Sequence, residues 1–403
     1  MKLMVVGHAF LLAYAQKKFI AMKQVDPDLQ IRLVIPKQIQ DRFRTEKAEI
    51  HPSLAAHEIV TLGTRLAQIQ GHMTYIHDPV KLARVVREFQ PDVVHIDEEP
   101  QALITVETIA IQRAVAKNSG ITLFTWDNLL RPRHFPVGTL KSRLRRYSLA
   151  RTSAVICGNR RAAEIVRDER LFRGALETLP QFGLDVEEHR PGTEIELRRS
   201  LGLDGGIVIG HAGRLVPEKG VLLLLEALTR LQQFPWKLLM VGGGALESEI
   251  REVWMKRFPN RIVLVPTVRY DQVAKYLRCM DIFVLASYAT PTWQEQFGLS
   301  LAQAMLLGIA SIGSTSGAIP EVLASTGLLF EEKNVDGLTR ALETLLRSEE
   351  TRRAVADAER QLALKKYTSE TVAASYLEVF RKAQLADVGK THANQKTGAE
   401  RKE

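Results

Sequence analysis

The sequence predicts an α/β protein made of two parallel-sheet domains, and two observations carry that prediction. In each half, short apolar runs alternate with helical patterns, which is the mark of consecutive βαβ units. The chain has 403 residues, 45% of them apolar and 25% charged, enough material for two sizeable cores. The first series of strands is expected at residues 3–6, 31–35, 92–96, 121–125 and 154–157, after which a turn-rich, polar stretch at 180–192 breaks the alternation. It resumes at 207–210, 237–241, 262–265, 282–286 and 310–312. The expected domains are therefore 1–182 and 183–365. Helical patterns at 335–347 and 351–364 close the second domain, and one at 369–385 ends the ordered chain. Residues 387–403 lack apolar periodicity, so a disordered tail is expected there.

Cys157 and Cys279 are the only cysteines. Both sit in apolar surroundings outside any Cys-x-x-Cys pair, which argues against a disulfide framework or structural zinc and for a reducing compartment. The apolar run after Met1-Lys2 imitates a secretory signal, but Gly7-His8 interrupts it and the segment is needed as the first strand. No apolar run approaches the ~18 residues of a membrane span. The net charge of +9 is uneven: residues 1–182 hold 27 Lys and Arg against 18 Asp and Glu, and the remainder balances. The excess is densest at Arg131, Arg133, Lys141, Arg143, Arg145, Arg146 and Arg151, around a stripe of Leu140, Leu144 and Tyr147. Two readings stand side by side, a basic surface resting on anionic lipid and a solvated helix face packed by its apolar stripe. Nucleic acid is disfavoured, because no recognition motif or interleaved aromatics accompany the charge.

The most informative stretch is Gly213-Arg214-Leu215-Val216-Pro217-Glu218-Lys219-Gly220, a glycine turn between an apolar strand and a helix. Open α/β sheets bind ligands at the carboxyl ends of their strands, and two cations there suit a diphosphate; the plain alternative is a pair of surface cations after a tight turn. Further on comes Glu295-Gln296-Phe297-Gly298-Leu299, with Gln303 eight positions after Glu295. Val241-Gly242-Gly243-Gly244, Thr267-Val268-Arg269 and Ser316-Gly317-Ala318 follow other strands.

Together these segments resemble the donor half of the family-4 retaining glycosyltransferases, the group 1 glycosyl transferases of GT-B fold. The resemblance implies two Rossmann-like domains facing each other across a cleft, with the last helix, about 366–386, crossing back to the first. It implies that Arg214 and Lys219 hold the leaving diphosphate, whose charge grows as the glycosyl bond breaks. Glu295 then contacts donor-sugar hydroxyls, and Gln303, where the family usually has Glu, contacts the ribose. Gly213, Gly243, Phe297, Gly298, Leu299 and Gly317 bring backbone close to the donor, and Val268 and Arg269 meet the base. The only Asp-x-Asp, Asp26-Pro27-Asp28, reads as a surface turn, so metal-independent chemistry with no cofactor beyond the nucleotide sugar is expected.

In the first domain His8, Glu99 and Asp127 are the acceptor-side candidates. His8 replaces part of the family's usual double glycine; Asp127 is either an acceptor-binding carboxylate or a helix N-cap. His95, Asp97, Glu98 and Glu99 end another strand, where each either lines the same cleft or, the reading favoured for each one alone, has a structural role; His134 is expected on the surface. The resemblance thus implies a retaining hexosyltransferase using a UDP- or GDP-sugar and a lipid-linked or saccharide acceptor. It would work in envelope polysaccharide, lipopolysaccharide or glycolipid assembly, in the cytoplasm and peripherally on the inner membrane face. The alternative is a nucleotide-sugar-binding pseudoenzyme acting as a partner subunit. A Rossmann oxidoreductase is disfavoured, since no Gly-x-Gly-x-x-Gly with a following acid occurs after a strand.

Overall fold

The structure, a computed structural model, describes residues 1–40, 45–66, 74–129, 137–169 and 172–399. The chain divides into two compact units, Met1–Gly183 with the segment from Ser369 onward, and Leu184–Thr368.

The first unit is organised on a seven-stranded parallel sheet: β1 (Lys2–Val6), β2 (Gln30–Pro36), β3 (Ile59–Leu62), β4 (Val93–Ile96), β5 (Gly120–Thr125), β6 (Ala154–Cys157) and β7 (Ala175–Thr178). Their spatial order is β7-β6-β5-β4-β1-β2-β3. The five strands legible as apolar runs are the inner ones, buried on both faces by helices. Edge strands β3 and β7 escaped the sequence reading because each is short and only partly covered, with Thr61, Glu177 and Thr178 breaking the apolar run. Helix α1 (Lys17–Val25) and the last helix, Ser369–Ala399, share one core cluster through Phe19, Met22, Tyr376, Leu377 and Phe380. The last helix thus belongs to the first unit, as the fold class requires. It continues past 386, where the sequence reading begins a disordered tail. Backbone hydrogen bonding needs no apolar face, and the proline-free run does not interrupt it.

Helix α2 (Val137–Leu149) corrects the expected amphipathic pattern. Leu140 of the apolar stripe is 56% exposed, whereas Arg145 of the basic face is only 6% exposed. Arg131, Arg133 and His134 lie outside the described residues.

In the second unit the strands are β8 (Ile207–Ala212), β9 (Trp236–Val241), β10 (Ile262–Val265), β11 (Ile282–Leu285), β12 (Ala310–Ser314) and β13 (Leu328–Phe330). They form a parallel sheet in the order β10-β9-β8-β11-β12-β13. Again only the short edge strand β13 was missed. Helices α3 (Val221–Thr229) and α4 (Leu299–Leu306) begin at the carboxyl ends of β8 and, through a long loop, β11. Among the described residues no helix is long and apolar enough to cross a membrane.

Candidate functional site

In the second unit β8 ends at Ala212, and the chain turns through Gly213, forms a short 3-10 turn at Pro217–Lys219 and enters α3 at Gly220. Gly220 has φ 68°, and a Cβ there would stand 1.8 Å from the Ala286 carbonyl oxygen, so glycine alone fits. This turn delivers Lys219 to the loop after β11. Its Nζ donates to Glu295 Oε2 at 2.6 Å, and Ser287 Oγ donates to the same oxygen at 2.9 Å. With Lys219 only 15% exposed and Glu295 8%, the pair is shielded from water, which strengthens it. Gly317 (φ 55°) packs on the far side, where a Cβ would meet the Glu295 carbonyl oxygen at 2.1 Å, and Ala318 N donates to that oxygen at 3.1 Å.

Arg214 stands apart from this pair. Its side chain is 59% exposed and lies 3.6 Å from Glu218 Oε1, so each of the two cations has its own carboxylate. Gly213 and Gly243 lie just beyond β8 and β9, and Val268 and Arg269 follow β10; Arg269 is exposed, 3.4 Å from Asp271. Gly298 and Leu299 open α4, and Phe297 packs edge-on against Tyr367 with centroids 5.6 Å apart.

Gln303 lies elsewhere than an open ribose contact would place it. It is 2% exposed among the buried residues of α4, with Nε2 3.2 Å from His189 Nε2. His189 Nδ1 lies 2.8 Å from the Asp185 carbonyl, to which it donates; Nε2 is then the acceptor of the Gln303 N–H. A surface cleft of about 480 Å³ between residues 187–194 and Tyr270, Asp271 and Arg278 includes His189 but none of the expected donor residues.

Three residues of this unit went unread in the sequence. Ser287 supports Glu295, as described. His211, in β8, is buried, and burial pushes its imidazole down to about 4, so it is neutral. Trp293 lies in the loop before α4 with its indole centroid 4.9 Å from Lys219 Nζ.

The acceptor-side candidates of the first unit all follow carboxyl ends of neighbouring strands. Glu98 Oε1 receives three hydrogen bonds, from His8 N at 2.8 Å, His8 Nδ1 at 2.6 Å and the Tyr75 hydroxyl at 2.7 Å. Burial opposes charge on His8, but Glu98 outweighs it and the imidazole is raised above its ordinary value. Glu99 accepts from Thr125 Oγ1 at 2.5 Å and Trp126 N at 2.9 Å. Burial, and next the Asp127 carboxylate, push Glu99 up to about 7. Asp127 lies 3.9 Å from Arg145, which also bonds Glu169 and Gln101. The supposed basic-face arginine is therefore a buried counter-charge for acids.

His95 and Asp97 are interior, which is the structural one of the two readings. Asp97 accepts from Gln181 Nε2 and lies 3.9 Å from Lys18 Nζ, which donates to the Gln181 carbonyl at 2.9 Å. Lys18 itself is enclosed by Phe10, Phe19 and Tyr376, the last with its centroid 3.9 Å from Nζ. Burial brings this ammonium down to about 8 despite Asp97. Nothing in the sequence around Lys18 distinguishes it from a solvated helix lysine.

Two Rossmann-like parallel sheets in one chain, with the last helix completing the first unit, constitute the GT-B architecture of glycosyltransferases. The structure of Anabaena Alr3699/HepE, solved in complex with UDP, has this fold, with a TM-score of 0.70 at 18% identity over 94% of this chain and 100% of that one. Residues 193–362 match the family model of the group 1 glycosyl transferases, and over that stretch the chain carries a domain of this family. A GDP-mannose-dependent monoacylated alpha-(1-6)-phosphatidylinositol monomannoside mannosyltransferase of Corynebacterium glutamicum is 31% identical over 44% of this chain and 50% of its own length. The D-inositol 3-phosphate glycosyltransferase of Rhodococcus erythropolis is 28% identical over 50% of this chain and 48% of its own. The chain thus matches about half the length of these curated relatives.

Proposed function

We propose that this protein is a retaining, metal-independent hexosyltransferase that moves a sugar from a UDP- or GDP-sugar to a lipid-linked or saccharide acceptor. The observation that carries the reading is the shielded Lys219–Glu295 pair at the carboxyl edge of the second sheet, inside the stretch matching group 1 glycosyl transferases. Lys219, joined by Arg214, neutralises the diphosphate as the glycosyl bond lengthens, and this interaction is stronger in the transition state than in the ground state. Glu295 receives sugar hydroxyls, and the departing diphosphate assists removal of the acceptor proton, so no protein nucleophile is required. Gly213, Gly243, Gly298 and Gly317 admit the donor close to the backbone, and Val268 and Arg269 meet its base. His8, Glu99 and Asp127 hold acceptor hydroxyls in the first unit.

The relative named for phosphatidylinositol monomannoside supports a glycolipid acceptor, and we place that acceptor in envelope glycolipid or polysaccharide assembly. In this reading the enzyme works in the cytoplasm and visits the inner membrane face. The exposed Lys141, Arg143, Arg146 and Arg151 supply the attraction to anionic lipid. Turnover across a panel of UDP- and GDP-sugars, with lipid extracts as acceptors, anomeric analysis of the product and chelator controls, tests the activity. Release of the nucleotide with no glycosylated product, or strict dependence on added Mg²⁺, would count against it. Salt-sensitive co-sedimentation with anionic but not neutral vesicles tests the membrane component. The burial of Gln303 against His189 favours one alternative, a nucleotide-sugar-binding partner subunit without turnover. Donor binding without turnover for every donor would select it.

A further inference from the structure

We infer that Trp293 is the platform on which the donor's sugar ring rests, making it a determinant of which sugar is accepted; this rests on the donor reading given above. The loop carrying Trp293 is held in place along its length. Tyr288 N donates to the Glu218 carbonyl at 2.9 Å and Ala289 N to Glu332 Oε2 at 2.8 Å. Thr290 N donates to the Trp293 carbonyl at 2.8 Å, and Trp293 N donates back to Thr290 Oγ1 at 3.0 Å. The indole is therefore presented from a fixed turn, half-buried, rather than from a long unsupported segment.

What it is presented to is chemically specific. Lys219 Nζ is 4.9 Å from the indole centroid and 2.6 Å from Glu295 Oε2, so an aromatic face, a cation and a carboxylate bear on one place. A cation attracts phosphate and a carboxylate takes hydroxyl hydrogens. An aromatic face takes a patch of C–H groups, which a pyranose presents on one side. A glycosyl diphosphate carries all three features in sequence. A nucleoside diphosphate has no pyranose on its β-phosphate and so presents no pyranose C–H face there, and a free sugar lacks the anion. When the diphosphate draws the ammonium toward itself, the indole face that Lys219 covers becomes available to the sugar ring.

A purely structural role, in which the indole only shields Lys219 by a cation–π contact, predicts something different. Loss of the ring would then weaken nucleotide and nucleotide sugar alike. Calorimetric titration of wild type, Trp293→Phe and Trp293→Ala with UDP, UDP-glucose, GDP and GDP-mannose separates the two. For the nucleotide sugar that wild type binds, Trp293→Ala should lose about tenfold more affinity than for the matching diphosphate, with Trp293→Phe retaining most of the difference. Equal losses for sugar and diphosphate would overturn the platform and leave the donor reading intact. Failure of wild type to bind any of the four would remove the donor reading and the platform together.

Discussion

Replacing Lys219 by Met removes the charge while keeping most of the chain length, and the structure says what is left behind. Glu295 would retain Ser287 Oγ at 2.9 Å as a donor but would lose its ammonium at 2.6 Å in a shielded place. Breaking a fully buried pair costs about 3–5 kcal/mol; the remaining hydroxyl and the 15% exposure of Lys219 reduce this to about 2–3 kcal/mol. Glu295→Gln alone should cost less, because an amide keeps the Ser287 bond and leaves a cation that can reach water. The double variant should therefore be more stable than the sum of the two losses by about 1 kcal/mol or more, since neither residue is then an unpaired charge. Turnover should behave differently. Lys219→Met should lower kcat by about a hundredfold or more, near 2.7 kcal/mol of transition-state stabilisation, and the double variant should not regain it. Urea unfolding followed by circular dichroism, paired with nucleotide release measured on the same preparations, gives both quantities. Additive stability losses would refute the coupling. Wild-type turnover in Lys219→Met would refute the role of the cation in catalysis.

The folded protein holds a proton on Glu99 between the ordinary 4.5 and about 7, where the unfolded chain has released it. This group's contribution to stability must accordingly decline as pH rises through that window, by about 3 kcal/mol in full. Glu99→Gln should flatten that part of the pH profile of urea midpoints; an unchanged slope would contradict the assignment. Gly220→Ala forces a side chain onto a positive φ and into the Ala286 carbonyl, and should cost well over about 2 kcal/mol along with donor affinity. Thermal denaturation and nucleotide titration would show it, and a shift of under a degree would contradict the turn geometry. Gln303→Glu places a carboxylate where the amide N–H meets the acceptor nitrogen of His189. An ionised carboxylate has no hydrogen to donate, so the variant loses that bond in a buried place and should be destabilised by about 1–3 kcal/mol in urea unfolding at neutral pH. Wild-type stability would show that the 189–303 contact does not govern this position.

The inner strands of both sheets, the glycine-to-helix turn that presents Lys219, and the Glu295 loop were legible in the chain itself. Each is a local matter: a strand buried on both faces must be a continuous apolar run, and a helix entered at positive φ requires a glycine such as Gly220. The edge strands β3 and β7 were not legible because polar residues at their partly exposed positions break the apolar run, and β13, though apolar, is only three residues long. Side-chain partnerships between distant positions were decided by tertiary structure alone. Lys18 and Gln181 meet at Asp97, Arg145 turns inward to Asp127 and Glu169, and Gln303 meets His189. Periodicity says which face of an element is buried, but not which polar group from another element arrives there to compensate a buried charge or amide. The indole of Trp293 belongs to the same class: its sequence neighbours read as a loop, and only folding sets Lys219 across its face.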